Sequence, residues 1–86
     1  MTYFWPDGYP LIVHTSSDGM PRALSWDWYN DTFEIERIDD DWSLDDGWWD
    51  EPKVRTYYWI STENGHALIM FQDMQTKIWF MQWLFN

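Results

Sequence analysis

VRTYYWISTENGHALIMFQ, running from Val54 to Gln72, is the stretch on which the fold turns. Val54–Thr62 is rich in β-branched and aromatic residues and reads as the clearest strand of the chain. Glu63-Asn64-Gly65 then supplies a hairpin turn, because Asn and Gly accept the positive φ that a tight β-turn demands. Ala67–Gln72 returns as the second strand. A further hairpin follows through Asp73-Met74-Gln75-Thr76 into Lys77–Phe85 (KIWFMQWLF). These last two strands are apolar on both faces, so they are central or one face meets a partner.

The same signals recur towards the N-terminus. Tyr9–Thr15 is an apolar strand closed by the turn Ser16-Ser17-Asp18-Gly19, and Met20–Trp26 returns from it. Pro21 near the start of that strand implies an edge or a bulge, since proline cannot donate to a ladder. Tyr29-Asn30-Asp31 makes the next turn before Thr32–Ile38. There the alternation slips between Arg37 and Ile38, which a bulge would repair. Asp39–Lys53 (DDDWSLDDGWWDEPK) reads as one long acidic loop, with Trp42 and Leu44 on a short helical turn, and Met1–Gly8 as a loose lead-in. The expectation is one all-β domain over residues 1–86. It is a six-stranded antiparallel meander curled into a small half-open or SH3-like barrel.

A chain of 86 residues buries a modest share of its surface, so each buried side chain must contribute strongly. Nine Trp, five Tyr and five Phe meet that need, since each ring buries about 150–250 Å². Cysteine is absent, which removes a disulfide framework and favours a reducing cytoplasm. No apolar run reaches the ~18 residues of a membrane helix, and the first ten residues lack the pattern of a signal peptide.

Charge is gathered in one place. Between Asp27 and Glu51 stand eleven carboxylates and a single cation, Arg37, a net −10, while the remaining residues balance to zero. Such a surplus excludes direct binding to a nucleic-acid backbone, which depends on neutralising phosphates with Lys and Arg. Basic partners fit instead. Trp26, Trp28, Trp42, Trp48 and Trp49 are interleaved with the acid, and rings beside carboxylates make a recognition surface.

Chemistry of other kinds finds little support. A calcium loop starting at Asp41 would need Gly at its sixth position and Glu at its twelfth, but Asp46 and Pro52 stand there. No cofactor or metal is expected. His14 and His66 lie within or beside predicted strands and read as solvent-facing; exposed carboxylates have no reason to hold a useful pKa. No catalytic residue is assigned. Trp59, Trp79 and Tyr57 read as core. Trp42, Arg55 and Tyr57 read as anchors for the acidic loop, Arg55 by pairing with a carboxylate or stacking on a ring.

One pattern runs through nearly the whole chain: Pro21…Leu24-x-Trp26, Phe33-x-Ile35, Trp42, Asp45-Asp46-Gly47-Trp48-Trp49, Arg55-x-Tyr57-Tyr58, Thr62, Gly65, Asp73 and Trp79-Phe80. It resembles an uncharacterised family of small bacterial Trp-rich domains, some encoded near Y-family, error-prone DNA polymerases or DNA-repair genes. The resemblance implies an all-β fold and an association with DNA repair, and it supplies no catalytic residue.

The function expected is therefore a non-enzymatic interaction module docking on a basic protein partner. Asp39, Asp40, Asp41, Asp45 and Asp46 would steer the approach, and Trp28, Trp48 and Trp49 would supply contact area. The apolar final strands leave room for a homodimer. Two competing readings are an acidic DNA mimic, which needs carboxylates in two rows, and a small-ligand-binding barrel with a pocket at His14 or His66.

Overall fold

Six antiparallel strands follow one another around a ring in the computed structural model, which describes residues 1–27, 31–45 and 53–85. They are β1 (Thr2–Thr15), β2 (Pro21–Ser25), β3 (Phe33–Asp45), β4 (Val54–Thr62), β5 (Ala67–Asp73) and β6 (Trp79–Phe85). Each strand pairs with the next, and β1 also pairs with β6, which closes the ring. The meander and its curl into a small barrel are thus as the turn spacing implies.

Two segments differ from expectation. Thr2–Phe4 is not a loose lead-in: it pairs with Phe85–Trp83 at the far end of β6. Likewise Asp39–Asp45 is not a loop, and Trp42 and Leu44 lie on no helical turn. All belong to β3, where Asp40 to Asp45 pair residue by residue with Trp59 to Val54. Carboxylates depress strand propensity, but β4 offers a rigid ladder and Trp42 gains a ring partner on it, so pairing outweighs local preference. The rest of the expected loop, residues 46–52, lies outside the described residues, as does most of the turn at 28–30.

Long strands can turn corners only where their ladder is interrupted. On β3 the register shifts between Ile35 and Arg37 and again between Ile38 and Asp40. These two irregularities flank the slip that the sequence shows at Arg37 and Ile38. On β1 the break is larger: between Phe4 and Tyr9 the strand advances five residues while β6 advances from Trp83 to Met81. Gly8 sits in that excess with φ +85°, a conformation in which other residues are strained. Pro21 stands where the β1–β2 register slips, at its pairing with Thr15.

Inside the ring, Leu24, Ile60, Leu68, Met70 and Met81 are fully buried, and Leu11, Trp26, Phe33, Tyr58, Trp79 and Leu84 complete the core. At ~25 cal/mol per Å², burying each such side chain is worth about 1.5–3 kcal/mol before ordering entropy is subtracted. Thr62 is the one buried polar residue among those described; its hydroxyl donates to Asn64 Oδ1 at 2.6 Å and accepts from the His66 amide at 3.1 Å. That knots the Asn64-Gly65 hairpin. At the opposite turn Asp73 Oδ1 accepts from the Gln75 and Thr76 amides, at 2.9 and 3.4 Å.

The turn after β1 is held by Asp18, which accepts from the Ser16 hydroxyl and the Met20 amide. These bonds, the hydroxyl foremost, hold its carboxyl below the ordinary value of 3.8. Two tyrosines shift the other way. Burial and then the Asp41 charge raise Tyr58 above 10.0; for Tyr9 the hydrogen bond to Asp27 leads, followed by burial and the Asp27 charge. An unfolded tyrosine loses its proton near 10.0, before either folded one does. Their stabilisation is thus complete below that pH and lost as pH rises through the folded values. Thermal midpoints followed by circular dichroism should hold steady to about pH 9 and then fall, and Tyr58→Phe should flatten that fall. An alkaline limb unchanged in Tyr58→Phe would contradict the assignment.

Candidate functional site

Directly opposed residues on antiparallel strands point to the same face, so the pairings define what the outside of the barrel carries. Outward from β3, β4, β5 and β6 stand Trp42, Tyr57, Phe71 and Phe80. Their rings form a continuous row with centroids 5.5, 5.2 and 5.2 Å apart, the Trp42–Tyr57 pair being parallel to within 3°. Tyr57 and Phe71 are buried, yet neither belongs to the interior cluster. The barrel therefore has two apolar layers, one inside and one outside. The Arg55 guanidinium covers Phe71 at 4.7 Å from the ring centroid, and Gly8 lies against Phe71 and Phe80.

A second row lies beside the first and is open. Phe4 meets Trp83 at 4.3 Å, Trp83 lies parallel to Phe85 at 5.8 Å, and Phe85 stacks on Trp59 at 6.1 Å. Phe4 is 48% exposed and Trp59 44%. Asp40 stands directly across the ladder from Trp59. Asp39 adjoins it, accepting from the Ser61 hydroxyl at 2.9 Å and pairing with Arg37 at 2.5 Å. The exposed rings thus end against carboxylates, and stacking holds those rings in place.

The structure divides the residues that the sequence nominates. Asp39 and Asp40 lie beside Trp59 on the outer face. Asp41 pairs with Tyr58, whose ring enters the core, so it points to the other side of the sheet. Asp45 is exposed at the end of β3, where its carboxylate accepts from the Lys53 amide at 3.3 Å. Trp28, Asp46, Trp48 and Trp49 lie outside the described residues. Trp42, Arg55 and Tyr57 do come together, on the covered row; the segment they were expected to anchor, 46–52, lies outside the described residues.

Trp59 corrects the expectation that it belongs to the core, because it stands in the open outer row. Trp79 does lie in the core. His14 pairs with Ala23, whereas His66 meets the edge of the Phe33 ring at 5.3 Å. The ring order places β6 and not β5 beside β1, so the two histidines are not on neighbouring strands. Phe4, Trp83 and Phe85 were not singled out from the sequence, although the two-faced apolar character of β5 and β6 signals an outer layer.

Comparison with family models, with curated proteins and with solved structures returned no match. Function must be read from the surface itself. No helix among the described residues is long and apolar enough to cross a membrane.

Arg55→Ala should cost about 1–2 kcal/mol, the range of a partly desolvated cation–π contact made by a half-buried side chain. Urea denaturation measures this directly. A loss below a few tenths of a kcal/mol would mean that the guanidinium merely lies across Phe71.

Proposed function

We propose that the protein is a non-enzymatic, cytoplasmic interaction module that docks a basic protein partner on its outer acidic–aromatic face. The observation that carries this reading is the row Phe4, Trp83, Phe85 and Trp59 ending at Asp40 and Asp39. Stacked rings supply area at low entropic cost, since their rotamers are already set. Carboxylates at the end of the row steer and orient a cationic surface. A DNA-repair enzyme is the partner that the sequence resemblance suggests.

The carboxylates of β3 follow a single strand, which supports docking at one rim better than a two-row imitation of DNA. The test is affinity capture from the source cells with wild type, Trp59→Ala and Asp40→Asn, at low and high salt. A basic protein retained by wild type at low salt, and lost in both variants, is the expected result. Equal retention by all three proteins would refute the assignment of this face.

A further inference from the structure

A second site lies on a different part of the barrel, between the middle of β1 and the end of β2. A cavity of about 350 Å³ opens there, lined by Tyr9, Pro10, Leu11, Ile12, Trp26 and Asp27. Its walls are two rings and three aliphatic side chains, and its one charged group is a carboxylate. Each ring has an aromatic neighbour: Trp26 stacks on Phe33 at 5.0 Å, and Tyr9 meets Trp5 at 5.7 Å. The Tyr9 hydroxyl donates to Asp27 Oδ1 at 2.5 Å, which fixes the carboxylate at the mouth. Among the described residues nothing donates to Asp27 Oδ2.

We propose that this pocket binds an organic cation on a short apolar stem, an alkylammonium or guanidinium group. The aliphatic wall accepts the stem, the two ring faces attract the positive head, and Asp27 Oδ2 accepts its N–H. The volume suits a ligand of that size, at the low end of small-molecule sites. An anion would enter against a net charge of −10, and a neutral ligand would leave the carboxylate without a counter-charge. The head group belongs either to a free amine or to a lysine or arginine side chain. None of the pocket's lining residues belongs to the outer row of Phe4, Trp83, Phe85 and Trp59.

Titration of the full chain with n-butylammonium, with an acetylated lysine amide and with n-butanol separates the outcomes. Backbone amide shifts of Ile12 and Asp27 are the readout. Saturable binding of both cations is expected, with n-butanol at least about tenfold weaker, because a charge-assisted hydrogen bond is worth about 1.5–3 kcal/mol. A tighter lysine amide would place the natural head group on a protein, and a tighter n-butylammonium would indicate a free amine. Asp27→Asn, an exposed position, should weaken both about tenfold, and Tyr9→Phe should weaken them less. The triple variant Asp39→Asn, Asp40→Asn, Asp41→Asn should change binding less than about twofold at physiological salt, where screening extends over roughly 8 Å. That separates this pocket from the outer face. Equal binding of n-butanol, indifference to Asp27→Asn, or failure to saturate would overturn the proposal.

Discussion

Gly8→Ala is expected to destabilise the domain by about 2–5 kcal/mol, one of the two largest effects of a single substitution in this chain. Two causes add. Gly8 has φ +85°, where an L-residue costs about 1–2 kcal/mol. A Cβ built there would also lie 2.6 Å from Phe80 Cβ and 2.8 Å from the Phe71 ring, an overlap costing about 1–3 kcal/mol. In a domain this small each kcal/mol moves the melting temperature by about 4–8 °C, so the midpoint should fall by roughly 8–40 °C. Gly65→Ala is the control. Its φ of +90° is equally strained, but nothing lies within 4 Å of the added methyl, so only the strain of about 1–2 kcal/mol is expected. Equal losses at the two positions would show that β1 does not press against the outer row.

Phe71→Ala should cost about 3–5 kcal/mol, whereas Trp59→Ala should cost about 1 kcal/mol. Both rings sit on the outside of the barrel, so a one-layer view would expect neither to matter greatly. Phe71 is 1% exposed and touches Tyr57, Phe80 and the Arg55 guanidinium, so its removal leaves a cavity in a closed layer. Trp59, open to solvent and stacked on Phe85 alone among the described rings, gives up one contact. Urea titrations of the two variants against wild type measure the difference. Similar values would dissolve the distinction between a covered row that stabilises and an open row that contributes little to stability.

The turns and four of the strands are legible in the sequence because Gly and Asn at tight corners leave few alternatives. Val54–Thr62 is recovered with its bounds, and Ala67–Asp73 within one residue. What was not legible depends on long-range pairing. Thr2–Phe4 is ordered only because the end of β6 lies beside it, and no local signal reports that. Asp39–Asp45 reads as loop because carboxylates disfavour strands, but Trp42 finds Tyr57 across the ladder and overrides the preference. Trp59 alternates like a core residue, and only the closure of the ring shows that its face is the outer one. The pocket beside Asp27 was not legible for the same reason. Tyr9 and Trp26 are seventeen residues apart, and the β1–β2 pairing brings them together.

The acidic run from Asp39 to Asp45 lies along β3 and not on a loop. On a strand, neighbouring carboxylates alternate between faces, so Asp40 and Asp41 cannot serve one partner from one side. In the proposed docking it is Asp40 with Trp59, rather than the acidic run as a whole, that would meet the partner.

The most direct measurement is an amide-resolved titration with a short Lys/Arg peptide at low salt. Saturable shifts should gather at Asp40, Trp59, Trp83 and Phe85, separate from those of the β1–β2 pocket at Ile12 and Asp27, and the outer-face shifts should disappear at high salt. Shifts of equal size at the Asp18 and Asp73 turns, or none on the outer face, would contradict the account.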